Sequence, residues 1–438
     1  MTRMFVDNWR VFCLACKGGG TVAHLTPPFK TKPEAVKMRR TSDTPRKKRR
    51  RETFLAFGAP AIENDELEAV SQVMKSAWLG TGPKAAQFEK DFFAYKGGWG
   101  FPLAVNSCTA ALHLSMLASE LEPGTEVITT ALTFCATVNS IIHSGLKPVL
   151  ADVDPVTMNI DPRDVERRIT SRTRAILPVH FAGRPCNMDE LCGIAKKHGL
   201  KLIEDCAHAI ETTYHCQPAG TFGDFGCFSF YVTKNIITGE GGLILARKEA
   251  DAARCKVLAL HGMSKDAWKR FGDDGYKHYQ VVSCGYKYNM MDLQAAIGIE
   301  QLKRVERYWK RREELWAQYN RELAGLPLTL PADPEPETRH SFHLYTVLVE
   351  EKKCGISRDQ FLDEMTRRNI GVGVHYLSIP EHPYYQQTFD WRPDDYPNAQ
   401  RIGQRTVSIP LSARLTDQDQ EDVVIAIREI LSENRAGR

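Results

Sequence analysis

Short apolar runs separated by helical stretches constrain this chain more than any other feature. The runs are Leu103-Ala-Val, Val127-Ile-Thr, Pro148 to Val153, Ala175 to Val179 and Leu200 to Asp205. Short buried runs alternating with helices predict a mostly parallel sheet wrapped by helices on both faces, an α/β architecture. The regular texture begins at Phe54. The segment from Asn64 to Met74 reads as a helix with Leu67, Val70 and Val73/Met74 on one face. After Ala295 the pattern changes to a long helix reaching Leu323 with an interruption near its middle. A proline-rich break (Pro327, Pro331, Pro334, Pro336), a strand from His343 to Leu348, a helix from Arg358 to Asn369 and a closing helix from Gln418 to Ser432 follow. The chain therefore divides into a large α/β domain over 54–300 and a small C-terminal α+β domain over 301–438, both ordinary domain sizes.

Residues 1–53 differ in kind. They carry 14 Lys/Arg against 4 Asp/Glu, a net of +10, while the whole chain is +4, so the remainder sums to −6. The run Arg46-Lys-Lys-Arg-Arg-Arg51 repels itself and predicts a disordered tail. Its functional reading is an anionic surface or nucleic acid. Its bland reading, a solvated tail, is the better supported, so nucleic acid is not expected as a partner. The start of the chain lacks the pattern of a signal peptide, and no stretch reaches the ~20 apolar residues of a membrane helix. The 12 cysteines are scattered through the chain, which suits a reducing cytoplasm rather than a disulfide scaffold. Cys13 and Cys16 form a lone C-x-x-C with no second pair to complete a zinc site, so no metal is expected.

Three motifs carry chemistry. Leu202-Ile-Glu-Asp205 ends an apolar run in two carboxylates, and the carboxyl end of a parallel strand is where α/β folds place ligands. An acid there can hold a metal, a ribose or a protonated ring nitrogen, and capping the next helix is the plain alternative. Lys234 lies among Phe228, Phe230, Ile236 and Ile237, just before Gly239-Glu-Gly-Gly242. Apolar neighbours desolvate an amine and lower its pKa, which a Schiff-base lysine requires. Ser229 is placed to offer its hydroxyl to a phosphate. Asn106-Ser-Cys-Thr-Ala-Ala111 turns into a helix N-terminus and reads either as an anion site or as a plain N-cap.

Taken together and in this order, these motifs resemble fold-type I pyridoxal-phosphate enzymes, and the chain from about Phe54 is similar to the DegT/StrS-type sugar aminotransferases. Trp78-Leu-Gly-Thr-Gly-Pro-Lys84, Thr133-Phe, Pro178-Val-His-Phe-Ala-Gly183, Glu204-Asp-Cys-Ala-His-Ala209, Ser229 to Gly242 and Gly285 to Gly298 carry the resemblance. Gly285-Tyr-Lys-Tyr-Asn289, Cys354-Gly-Ile-Ser-Arg-Asp359 and His208 are similar to the UDP-4-amino-4-deoxy-L-arabinose–oxoglutarate aminotransferase branch.

The resemblance implies pyridoxal 5'-phosphate as cofactor and L-glutamate (yielding 2-oxoglutarate) as amino donor to a nucleotide-linked keto-sugar. Lys234 would hold the cofactor and move the proton, Asp205 would pair with the ring nitrogen, and His208 would lie near the same ring edge. Phe134 would cover the ring, and Ser107, Cys108, Thr109 and Ser229 would hold the phosphate, with His180 near the pocket. Thr81, Lys287 and His375 would meet the substrate. Asn289 would be lent to the neighbouring subunit's cofactor, making the active unit a homodimer with shared sites. Cys108 departs from the family pattern, and the basic tail has no counterpart in it.

Two other readings stay open at this point. A sugar dehydratase of the same fold lacks the Schiff-base lysine that is present here. A nucleic-acid-binding sensor has only the basic tail in its favour, and no helix-turn-helix pattern precedes residue 54. His343 reads as a satisfied core histidine and His382 as a loop residue.

Overall fold

The structure, a computed structural model, describes residues 51–264 and 279–435. The tail and the Cys13/Cys16 pair lie outside the described residues, apart from Arg51 to Thr53.

Five parallel runs appear where the apolar pattern places them: β1 (Phe101–Val105), β2 (Glu126–Thr130), β3 (Lys147–Ala151), β4 (Thr173–Leu177) and β5 (Lys201–Asp205). A small hairpin, β6 (Thr213–Tyr214) and β7 (Gln217–Pro218), follows, and then β8 (Phe225–Ser229) and β9 (Gly242–Ala246). The seven long strands form one sheet in the order β1-β9-β8-β5-β4-β2-β3. Strand β9 is antiparallel to both its neighbours, and the rest run parallel. This is the fold-type I arrangement expected from the sequence. Strands β8 and β9 are missing from the predicted runs because Gly226 interrupts one and Gly242 opens the other.

Both faces of the sheet are covered, so its central strands are apolar on both sides. In β9, Ile244 and Ala246 pack with the helix Cys108–Ala118, while Leu243 and Leu245 pack with Phe88, Phe92, Phe228 and Phe230. This two-residue alternation is the signature of a strand buried twice over. Fully burying one such side chain is worth roughly 1.5–3 kcal/mol.

Beyond residue 300, β10 (Leu328–Thr329), β12 (Tyr345–Val349) and β13 (Thr406–Ile409) form a three-stranded antiparallel sheet. Strand β11 (Thr338–Arg339) instead joins the β6–β7 hairpin. Helices Val305–Leu323, Arg358–Arg367 and Asp417–Arg435 lie in this part of the chain, where Leu315, Tyr319, Phe361 and Ile427 share one core with Tyr345 and Val407. The expected interruption of the long helix falls at Arg304, between Asp292–Lys303 and Val305–Leu323. Among the described residues no helix is long and apolar enough to cross a membrane.

Candidate active site

Strand direction gathers the three motifs. Strands β1, β2, β4, β5 and β8 run the same way, so their carboxyl ends share one edge. Because β9 returns antiparallel to β8, the connecting loop stays at that edge and sets Lys234 beside the end of β5. The helix Cys108–Ala118 starts there after β1, and Phe134 caps the helix Cys135–His143 after β2.

Asp205 is buried, at 4% exposure. Its Oδ2 accepts from the Thr137 hydroxyl at 2.9 Å and its Oδ1 from the Ala207 N–H at 3.1 Å. Thr137 is itself 2.8 Å from the Thr133 hydroxyl. Burial pushes the carboxyl pKa up, against those two donors and the charges of Lys234 and His180. A buried carboxylate in this state has room for a further donor and is stabilised by a cation. Lys234 is half-buried in the loop, which Ile236 and Ile237 anchor. Desolvation pushes its pKa down to about 8, opposed by the Cys108 and Asp205 charges. At neutral pH about a tenth is therefore free amine, far more than for an exposed lysine, and that is the form that attacks a carbonyl.

His208 is buried. Its Nδ1 accepts the Ala182 N–H at 3.3 Å, which leaves the proton on Nε2, 3.2 Å from the Tyr376 Oη. Burial, and then the charges of Lys234, His343 and His375, hold its pKa well below the ordinary value, so the ring is neutral. Tyr376 also faces the Phe134 ring, with centroids 6.0 Å apart. Phe134 is 57% exposed, a free aromatic face at the pocket edge. His375 bonds Ser408 Oγ through Nδ1 at 2.9 Å, and desolvation and Lys234 push it down to about 4.

The Ser107 hydroxyl caps its helix by accepting the Ala110 N–H at 3.1 Å. The next N–H groups, of Cys108 and Thr109, have no carbonyl within the helix to bond. Gly242 presses on this turn: a Cβ there would lie 2.4 Å from the Ser107 carbonyl carbon. Ser229 pairs with Gly242 in the ladder and so stands beside the same helix start.

These residues fit pyridoxal phosphate. An anion meets free N–H groups at a helix N-terminus, a planar ring meets Phe134, a protonated ring nitrogen meets a buried carboxylate, and an aldehyde meets a partly deprotonated amine.

The family model described as DegT/DnrJ/EryC1/StrS aminotransferase matches residues 60–428. The chain belongs to this family. It is therefore a pyridoxal-phosphate-dependent aminotransferase. It is 45% identical over 383 residues to the spore coat polysaccharide biosynthesis protein SpsC of Bacillus subtilis, covering 87% of this chain and 98% of that one. A Streptococcus pneumoniae protein named as a sugar aminotransferase, solved in its PLP form, superposes with a TM-score of 0.80 at 29% identity, over 87% of this chain and 99% of that one. Helicobacter pylori PseC, an aminotransferase involved in the biosynthesis of pseudoaminic acid, gives a TM-score of 0.81 at 28% identity, over 87% and 100%.

Not every residue expected at this aminotransferase pocket reaches it. His180 is fully buried. Its Nδ1 accepts the Cys186 N–H and its Nε2 lies 3.1 Å from Glu204 Oε2. Successive residues of a strand face opposite ways, so Asp205 serves the pocket and Glu204 the other side. Glu204 also accepts from the N–H groups of Gly220, Phe222 and Gly223. His180, Glu204 and Cys206 lie within 4.8 Å of one another, but four bonds fill the carboxylate's lone pairs and leave none for an ion.

Thr81 spends its hydroxyl at both ends, donating to the Met290 carbonyl and accepting from Asn289 Nδ2, each at 2.6 Å. It holds Asn289 in place. Asn289 bridges Val105 of its own chain, and its buried Oδ1 has no partner among the described residues. Lys287 is exposed, and its carbonyl accepts from Asn106 Nδ2. Sequence reasoning missed Thr137, Tyr376, Asn235 and Glu211. Thr137 left a local trace, one helical turn after Thr133 and three residues after Phe134, and Asn235 and Tyr376 directly follow Lys234 and His375.

Proposed function

We propose that the enzyme moves the amino group of L-glutamate to the keto group of a nucleotide-linked sugar, at C4 of a UDP-4-keto-sugar, for a surface polysaccharide or lipid A. The observation that carries this reading is the pairing of buried Asp205 with half-buried Lys234 at the sheet's carboxyl edge. The relatives named for spore-coat polysaccharide and for pseudoaminic acid synthesis support a surface glycan. Bound pyridoxal phosphate would supply the electron sink that stabilises negative charge at the carbon losing its proton. Asp205 would keep the proton on its ring nitrogen, and Lys234 Nζ would take the proton from the amino donor and return it. The N–H groups of Cys108 and Thr109, with Ser229, would hold its phosphate, and Phe134 would offer its face to the ring. His208 stays neutral and adds no charge beside the carboxylate.

The unit we propose is a homodimer in which Asn289 reaches the partner's site. Trp78, Leu79 and Met291, on either side of Thr81 and Asn289, are exposed apolar side chains that suit such an interface.

The first test is an absorption spectrum before and after adding L-glutamate. A visible band that moves to the near-ultraviolet is expected in the parent and absent in Lys234→Ala. UDP- and dTDP-4-keto-sugars are then offered as acceptors. Multiple turnover by Lys234→Ala would refute the lysine's role. Mixed dimers of Lys234→Ala and Asn289→Ala subunits should recover one good site, and no recovery would refute sharing.

A further inference from the structure

Immediately after Lys234, Asn235 enters a buried polar network that no step above uses. Its Nδ2 donates to Glu211 Oε2 at 2.8 Å and to the Ser341 carbonyl at 3.0 Å. Its Oδ1 faces His343 Nδ1 at 2.9 Å. Glu211 pairs with Arg312 Nη2 at 2.5 Å, their side chains 0% and 2% exposed. Arg312 Nε also donates to the Ser341 carbonyl at 3.3 Å. The His343 ring lies 4.3 Å from that of His208, centroid to centroid. Three segments distant in sequence thus meet on one amide, the Lys234 loop, the stretch after β5 and the stretch before β12, and the helix Val305–Leu323 joins them through Arg312, which bonds Glu211 and the Ser341 carbonyl.

Burying two charges costs several kcal/mol each before their attraction is counted, and apolar residues of equal volume often do as well for stability. A buried pair is therefore weak evidence for stability, and what it does here is give Asn235 one orientation. Both amide hydrogens and the oxygen are engaged, so the side chain has nowhere else to turn. On the backbone, the Lys234 N–H donates to the Tyr231 carbonyl at 2.9 Å, and Ile236 and Ile237 are buried. A lysine side chain carries about 2 kcal/mol of rotamer entropy, and a reacting group displaced by ~1 Å can lose about 100-fold in rate.

We propose that Asn235, clamped by the Glu211–Arg312 pair and by His343, is a positioning residue that fixes where the Lys234 amine points. The inference rests on the reading of Lys234 as the amine that holds the cofactor.

Two readouts test it in Asn235→Ser, which breaks the clamp without changing charge. One is steady-state kinetics. The other is the pH midpoint for acylation of Lys234 in cofactor-free protein, read by peptide mass spectrometry. The titratable groups facing Lys234 are Asp205, Cys108, His208, His343 and His375, and of these the substitution touches only His343, by removing its bond to Asn235 Oδ1. The expected result is a fall in kcat of about 30-fold with the KM for L-glutamate kept within about threefold. The acylation midpoint should rise by about half a pH unit or more as the freed amine gains water.

An unchanged midpoint overturns the proposal, as does a fall in kcat no larger than the loss of folded protein. If Asn235→Ser does not fold, Asn235→Asp decides. Its carboxylate faces that of Glu211, and a proton shared at low pH restores the bond. Its kcat relative to the parent should therefore rise on acidification, and a pH-independent ratio overturns the proposal. A visible band surviving in Lys234→Ala would instead overturn the reading of Lys234 itself, which keeps the two failures apart.

Discussion

The proposed phosphate cradle depends on how closely β9 approaches the helix that begins at Cys108, and Gly242→Ala tests that closeness. A Cβ on Gly242 would lie 2.4 Å from Ser107 C, 2.5 Å from Ser107 O and 2.6 Å from Cys108 N. Carbon atoms sit at about 3.5 Å or more, so strand and turn must separate by roughly 1 Å. Every atom met is backbone, and no rotamer change can relieve the contact. Overpacking of this kind costs typically 1–3 kcal/mol, and the upper end applies here. If the helix start retreats, it takes the Cys108 and Thr109 N–H groups with it. Losing one hydrogen bond to a charged group costs about 1.5–3 kcal/mol, so cofactor affinity should weaken about 10- to 150-fold. The assay is titration of cofactor-free protein with pyridoxal phosphate, followed by tryptophan fluorescence, alongside the unfolding midpoint. Gly193→Ala, in the helix Met188–His198, is the control, since a Cβ there meets nothing within 4 Å. It should leave cofactor affinity unchanged and raise stability by roughly 0.5–1 kcal/mol, the advantage of Ala over Gly inside a helix. A Gly242→Ala protein whose affinity and unfolding midpoint both match the parent would refute the argument that this approach shapes the cradle.

Thr137→Val removes the hydroxyl that Asp205 Oδ2 accepts at 2.9 Å while keeping the volume. A bond to a carboxylate is worth about 1.5–3 kcal/mol, so kcat should fall about 10- to 150-fold with the KM for L-glutamate little changed; parent-like kcat would refute the role. Lys96 is buried, donating to the carbonyls of Ile210 and Ala219, and desolvation pushes it from 10.5 down to about 8. Between those values the unfolded chain holds a proton that the folded chain has released, so stability rises with pH across this window. The gap corresponds to about 3 kcal/mol. In denaturant unfolding of cofactor-free protein between pH 7.5 and 10, the parent should gain stability relative to Lys96→Met; parallel curves would show that the buried amine does not titrate as described.

Much of the site was legible because its parts are local. Lys234 announced itself by apolar neighbours, Asp205 by ending an apolar run, and the cradle by Ser and Thr at a helix start. What was illegible depends on pairing across long separations. Tyr376 meets His208 at a separation of 168 residues, and Asn235 meets Ser341 at 106. No window of sequence contains both members. His180 failed differently. The alternation of side chains along a strand allows only one of Glu204 and Asp205 to face the pocket, and His180 follows Glu204. The alternation was available from the sequence once β5 was read as a strand, but the bond from His180 to Glu204 was not. Glu211 had no such signal, since a lone carboxylate after a strand is ordinary until Arg312 is found buried beside it.

The antiparallel course of β9 connects these observations to the chemistry. A helical crossover after β8 would have carried the chain away from the carboxyl edge, but a return through β9 keeps the loop over the end of β5. Lys234 and Asp205 are then desolvated by the same pocket, and burial drives both toward their neutral forms. The amine falls to about 8 and the carboxyl rises, while the neighbouring imidazoles of His208 and His343 are held neutral by the same burial. The site therefore presents an amine suited to attack an aldehyde and a carboxyl short of a cationic partner. A ligand that offers an aldehyde at one position and a protonatable ring nitrogen at another relieves both costs at once. Removing only the carboxylate, as in Asp205→Asn, would leave the amine reactive but the ring nitrogen without its counter-charge, so cofactor capture should outlast turnover.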